Sequence, residues 1–216
     1  MRLTRVAASG VALFGAATAQ EVTKYYDPTT NITFSSITHA NGVSYRIALP
    51  IDSPVADAIF QIVSPNDFAW CGLAWGGHMT QNPLSVSWPT GQTTGQQAIV
   101  SSRFAYGYYA IPQPYDSATY TYLRGTSANA THWQVTARCQ GCTRWSSSDG
   151  DFNIEVLSET VLAYACSSVA PEAPASNTSA FNVHEQFGIW GHDLQAGKSA
   201  RADFDEWVRG NAGAEV

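Results

Sequence analysis

His132-Trp133-Gln134-Val135-Thr136-Ala137 alternates polar with apolar residues, and Thr119-Tyr120-Thr121-Tyr122-Leu123, just upstream, alternates threonine with tyrosine. Side chains along an extended strand point to opposite faces in turn. A period of two therefore puts Trp133, Val135 and Ala137 on one apolar face, and both tyrosines on one face of their own strand. Similar short runs recur at residues 32–36, 44–49, 58–63, 69–74, 84–88, 98–103, 153–157 and 160–165, separated by clusters of Gly, Pro, Asn and Asp. About ten strands at this spacing predict an all-β fold, an antiparallel β-sandwich. The exception lies near the end of the chain. Ala200, Phe204, Trp207 and Val208 fall at i, i+4, i+7 and i+8, which predicts a short C-terminal helix capped by Ser199 and packed on the sandwich. Residues 171–179 are rich in Pro, Ala, Ser and Asn and read as an exposed loop.

The first residues read differently. Arg2 and Arg5 precede the apolar stretch 6–17, and Ala17-Thr18-Ala19 fits a small-residue cleavage site, so residues 1–19 have the pattern of a secretory leader. The expected organisation is this leader, one domain over 20–209 and a tail over 210–216. The leader is too short to span a bilayer, and no later run approaches the roughly 20 apolar residues a span needs. Removing its two arginines takes the formal charge from −6 to −8, which argues against nucleic acid or anionic membrane as a partner. A soluble, monomeric extracellular protein is expected.

Secretion agrees with sequons at Asn31, Asn129 and Asn177, whereas Asn82 is followed by proline and is excluded. It also suggests that the four cysteines form two disulfides, for which three connectivities exist. The expected pairs are Cys139–Cys142 and Cys71–Cys166. Other uses of the Cys-x-x-Cys are weak: no second pair completes a zinc site, and Thr143 stands where a c-type haem attachment needs histidine. A redox dithiol would want a βαβ setting.

After the leader the chain has one methionine, Met79, in Leu73-Ala74-Trp75-Gly76-Gly77-His78-Met79-Thr80-Gln81-Asn82-Pro83. The two glycines relax the backbone and Asn-Pro turns it, so the segment reads as a loop that presents a side chain. A thioether presented in this way serves haem iron as an axial ligand, or copper. Among the histidines, His39 lies beside the Asn41-Gly42 turn and His132 beside a sequon, and both are expected at the surface. His78 adjoins Met79. His184 opens Val183-His184-Glu185-Gln186-Phe187-Gly188-Ile189-Trp190-Gly191, and His192 follows. One loop offering Met and another offering His suit a six-coordinate haem, which takes one ligand from each side.

Together these motifs carry a family resemblance. Trp70-Cys71-Gly72-Leu73-Ala74-Trp75-Gly76-Gly77-His78-Met79-Thr80 resembles the methionine-ligand loop of the haem b cytochrome domain of cellobiose dehydrogenases. Arg103-Phe104-Ala105-Tyr106-Gly107-Tyr108 resembles the strand and haem edge that follow it. Residues 131–142 resemble the family's local disulfide region, and His184 with Phe187-Gly188-Ile189-Trp190-Gly191 its histidine-ligand loop. The likeness runs from about residue 22 to about residue 209.

The resemblance implies an immunoglobulin-like β-sandwich with one non-covalent haem b, Met79 and His184 as axial ligands, and Tyr108 hydrogen-bonded to a propionate. Trp75, Phe104, Tyr106, Phe187 and Trp190 are candidates for the haem walls. It implies a carrier of single electrons with no substrate chemistry of its own. The donor would be an extracellular flavin or quinone dehydrogenase, and the acceptor a copper polysaccharide monooxygenase, a quinone or ferric iron. In cellobiose dehydrogenases a flavin domain follows; here no Gly-x-Gly-x-x-Gly run is present, so a free-standing relative or a fragment is expected. Two rival readings stand beside it. One is a carbohydrate-binding sandwich, given seven Trp and ten Tyr; the other is a copper protein using Met79 with His78 or His184.

Overall fold

A computed structural model describes residues 21–213; the leader expected over residues 1–19 lies outside them. The strands are β1 (Thr23–Asp27), β2 (Ile32–Thr38), β3 (Ser44–Pro50), β4 (Asp57–Pro65), β5 (Trp70–Ala74), β6 (Pro83–Pro89), β7 (Ala98–Phe104) and β8 (Gln113–Pro114). They continue as β9 (Thr119–Tyr122), β10 (Ser127–Ala128), β11 (His132–Gln140), β12 (Arg144–Ser147), β13 (Gly150–Asn153), β14 (Glu159–Ser167), β15 (Gln186–Asp193) and β16 (Lys198–Ser199), followed by helix α1 (Arg201–Asn211). One sheet runs β1-β2-β3-β4-β11-β10, with β9 also on β11 and β16 parallel to β3. The other runs β15-β14-β5-β6-β7-β8, and β12-β13 is a separate hairpin. The fold is the expected all-β antiparallel sandwich with a short C-terminal helix.

The alternating stretch that predicts the sandwich lies at its centre. Val135 and Ala137 of β11 stand opposite Ile62 and Phe60 of β4. Trp133, Val135 and Ala137 are buried between the sheets with Leu73, Val100 and Leu162 of the facing sheet. Tyr120 and Tyr122 pack together against the same core. Cys71–Cys166 joins adjacent strands of the second sheet across a sequence separation of 95, worth on the order of 4–5 kcal/mol in the chain-entropy account. Cys139–Cys142 closes a local turn after β11.

Three local expectations need correction. Residues 153–157 do not form a strand beyond Asn153, because the Glu155 carboxylate accepts hydrogen bonds from Asp57 N (2.8 Å), Thr143 and Arg144 and staples the segment into a turn. Helix α1 starts after Ala200 with no side-chain cap, so Ser199 does not cap it, and it runs to Asn211. The Asn211 amide donates to Thr30 O (2.9 Å), which ties the helix end down. His39 is not a free surface residue: its ring lies 4.5 Å from that of Tyr164 and 4.7 Å from that of Trp190. His132 is exposed, as expected.

Each sheet also has an apolar outer face. On the first sheet, Ile32, Phe34, Ala48, Ile59 and Leu123 are covered by Phe204 of α1, with Trp207 and Val208 beside it. The outer face of the second sheet has no helix over it, and the ligand-type residues gather there.

Candidate functional site

Register defines the floor of this face, because residues directly opposite one another point the same way. One row reads Ile189, Ala163, Ala74, Leu84 and Arg103 across β15, β14, β5, β6 and β7. The next reads Phe187, Ala165, Gly72, Val86 and Ser101. The middle of both rows is alanine or glycine, which leaves a flat, shallow floor. Val161, Phe187 and Ile189 rim it on the β15 side and are 52%, 68% and 64% exposed. Large apolar side chains left in solvent beside small ones are the mark of a binding face.

Met79 comes to this floor from beyond the end of β5. Its loop is pinned from within by Asn82, whose carboxamide is fully buried. Asn82 Nδ2 donates to the carbonyls of His78 (2.7 Å) and Thr80 (2.8 Å), and Oδ1 accepts from Gly76 N (2.9 Å). Gly77 has φ +77°, and a Cβ there would meet Val161 Cγ1 at 2.7 Å, so only glycine lets the loop lie this close to β14. Gln81 N donates to Ala105 O (2.8 Å), and Thr80 bridges Ala105. The half-buried Met79 side chain then packs against the outer cluster of Trp70, Ala74, Leu84 and Ala163. His78 Nδ1–H donates to Gly76 O at 2.7 Å, a local brace within the loop.

His184 reaches the same face from the other end of β14. Residues 168–185 leave β14, cross the outer face over β6 and β7, and return to β15. Trp88 Nε1 donates to Pro174 O (2.9 Å), Ser101 Oγ to Asn177 O (2.5 Å) and Arg103 to Ser179 O (2.7 Å). Phe181 packs on Trp70 and Trp88. His184 stands two residues before β15, edge-on to Phe187 with ring centroids 5.3 Å apart. Burial lowers its pKa, which keeps the imidazole neutral and so able to bind a metal.

The remaining expected residues divide. Tyr108 lies in the 105–112 loop after β7, beside the Met79 loop, and is 64% exposed; Tyr106 is exposed next to it. Trp75, Phe104 and Trp190, expected as haem walls, instead face inward, in the core between the sheets. Trp75 Nε1 donates to Ser85 Oγ (2.9 Å) inside that core. The segment read as a histidine loop is strand β15 from Gln186 onward, so Phe187 and Ile189 face out while Trp190 and His192 face in. Residues missed as site components are Val161, Ala163, Ala165, Phe181 and Arg103. Alternation in Phe187-Gly188-Ile189-Trp190-Gly191-His192 was the signal available for the strand.

The donor set selects among metal groups. Among the described residues no three His, Cys, Asp or Glu side chains gather as a metal site. Two donors approaching one flat apolar floor from opposite ends suit an iron that brings four equatorial ligands with it. They suit a bare copper ion less well. His184 Nδ1 is buried without a hydrogen-bond partner, an orphan that needs a ligand or a proton acceptor. The residues therefore fit haem.

A sequence model described as the cytochrome domain of cellobiose dehydrogenase matches residues 25–206. The chain belongs to that family. It is 29% identical over 187 residues to a pyrroloquinoline quinone-dependent pyranose dehydrogenase of Coprinopsis cinerea, covering 84% of this chain and 25% of that protein. The chain thus spans a quarter of that relative's length. Among solved structures it resembles the cytochrome b domain of pyranose dehydrogenase from Coprinopsis cinerea, with TM-score 0.78 and 26% identity over 90% of this chain and 97% of that one. It also resembles the cytochrome domain of Myriococcum thermophilum cellobiose dehydrogenase, with TM-score 0.74 and 25% identity over 90% and 98%. A cytochrome domain of this family binds haem b, and its work is electron transfer.

Proposed function

We propose that this chain is a secreted haem b electron carrier in which Met79 and His184 are the axial ligands and Tyr108 donates a hydrogen bond to a propionate. The observation that supports it is the convergence of the chain's one described methionine and a neutral, half-buried histidine on the two ends of one Ala/Gly floor. Haem b, when bound, supplies an iron that alternates between ferric and ferrous and so passes one electron at a time. The residues set how. The Met79 thioether favours the ferrous state and raises the potential, while the His184 imidazole is the stronger anchor. With both axial positions taken, oxygen has no open coordination site. Ala74, Gly72, Ala163 and Ala165 keep water from beneath the site, and Phe187 and Ile189 shield its rim.

Secretion is supported by the leader pattern, the two disulfides and the exposure of all three sequon asparagines, Asn31, Asn129 and Asn177, which are proposed glycosylation sites. No helix among the described residues is long and apolar enough to cross a membrane. Relatives carrying this domain are named as dehydrogenases, so the proposed donor is an extracellular flavin or quinone dehydrogenase. The proposed acceptors are a copper polysaccharide monooxygenase, a quinone or ferric iron, reduced without a substrate pocket. Purified protein supplied with haem should give an intense Soret band and a low-spin spectrum that carbon monoxide does not alter. Once reduced, it should be reoxidised by a copper monooxygenase in stopped flow. No Soret band, or rapid carbon monoxide binding with no reoxidation by copper or iron acceptors, would overturn the reading.

A further inference from the structure

Arg103 is 5% exposed, yet none of the ion pairs among the described residues includes it. A buried guanidinium without a carboxylate is uncommon, since desolvating the charge is costly. Its fork is instead spent on neutral groups of three different segments. Nε donates to Ser101 Oγ (2.6 Å) on its own strand, Nη1 to Pro112 O (3.2 Å) and Nη2 to Ser179 O (2.7 Å). Pro112 ends the loop that carries Tyr108, and Ser179 belongs to the crossing segment that carries His184. Two residues on from Arg103, just past the end of β7, Ala105 is bridged to Thr80 and accepts from Gln81 N, the residues that follow Met79. Phe181 lies against the guanidinium, with 5.3 Å from its ring centroid to the charge.

We propose that Arg103 is a positioning residue that ties the segments bearing Tyr108 and His184 to the strand that also anchors the Met79 loop, and that its unneutralised charge beside the floor favours the reduced state of the site. This rests on the haem reading above. Two features support the two halves. A planar five-donor fork holds two carbonyls and a hydroxyl at once, which an ammonium cannot do in the same geometry. Arg103 also shares a row with Ala74 two strands away, which puts their backbones about 10 Å apart at the usual strand spacing, and a charge on β7 within that order of distance from the floor. At that range and an effective dielectric of about 20, a unit charge alters a one-electron equilibrium by roughly tenfold. Asp116 lines the cleft beside Arg103 but is not paired with it.

Arg103→Met and Arg103→Lys separate the halves. At the potential where wild type is half reduced, Arg103→Met should show a reduced-to-oxidised ratio about tenfold lower, which is about 59 mV for one electron. Arg103→Lys, which keeps the charge, should stay within about threefold of wild type. Both variants should release haem to an acceptor apoprotein at least tenfold faster. In the haem-free proteins, amides of residues 168–185 should exchange faster while those of β11 do not. If Arg103→Met fails to fold, Arg103→Lys still decides the tie through haem release and amide exchange. Equal potentials for the two variants would overturn the electrostatic half. Wild-type haem release and exchange in Arg103→Lys would overturn the tie. A wild-type protein that takes up no haem would instead count against the proposed function, while amide exchange in the haem-free variant would still test the tie.

Discussion

The two outer faces of the sandwich begin with similar chemistry and end differently. Both present buried aliphatic side chains. The first sheet's face is sealed by α1, with Phe204 fully buried against Ile32, Phe34 and Ile59. The second sheet's face is covered only in part, by the Met79 loop and by residues 168–185, and it leaves Phe187, Ile189 and Val161 in solvent around an Ala/Gly floor. One face is finished by the chain's own helix, and the other is left partly open. Stability should therefore be concentrated in the first face and function in the second, and substitutions can probe that division.

The largest effect on folding belongs to the sealed face. Phe204→Ala should cost about 3–5 kcal/mol, the usual range for emptying a buried aromatic site. Urea unfolding of the haem-free protein reads it directly. A loss below about 1 kcal/mol would show that α1 is an ornament to the sheet.

Acid should act on the open-faced sheet. Burial holds His192 at about 4 and His39 at about 4, against an ordinary value of 6.5. The unfolded chain takes up protons at these rings between about pH 6.5 and 4, and the folded chain does not. Stability thus falls as pH drops through that window, and is fully present above it. The completely buried His192 contributes about 3 kcal/mol by pH 4, and half-buried His39 less. Both rings pack on Trp190, so amides of β15 should lose protection before those of β11. His192→Gln should flatten the pH profile; an unchanged profile would contradict the assignment.

The next effect is local. Gly77→Ala puts a Cβ into Val161 at a positive φ and should cost about 1–3 kcal/mol of local strain. It should displace Met79 before it unfolds the sandwich. The expected result is a haem protein with part of its iron high-spin, and a haem-free form whose thermal unfolding is lowered by less than in Phe204→Ala.

The smallest effect on stability marks the open rim. Phe187→Ala should alter haem-free stability by less than about 0.5 kcal/mol, because its ring is already exposed. Haem release should nevertheless quicken. A large loss of stability without haem would mean that the rim is part of the core.

Much of this architecture was legible in the chain. Period-two alternation located β11, β9 and most other strands because each has one dry face. The stripe from Phe204 to Val208 located α1 for the same reason. Two features resisted. Residues 153–157 alternate like a strand, but the buried Glu155 carboxylate binds backbone and side chains across the turn, a tertiary contact no local pattern reports. β15 was hidden because its glycines and outward apolar side chains imitate a loop; its exposed Phe187 and Ile189 become intelligible only as the rim of a site. Likewise Met79 and His184 could be singled out one by one, but the floor between them arises from the register of β14, β5 and β6. Arg103 stands in the sequence only as the first residue of the Arg103–Tyr108 motif, since its importance lies in which carbonyls it reaches.

The central claim is that Met79 and His184 face each other across this floor as ligands to one iron. Potentiometric titration of wild type and Met79→His, with haem content of His184→Ala measured alongside, tests it most directly. The account predicts that His184→Ala loses most of its haem. It predicts that Met79→His keeps haem at a lower potential, because imidazole replaces a thioether that favours ferrous iron. An unchanged potential in Met79→His, or full haem content in His184→Ala, would contradict it.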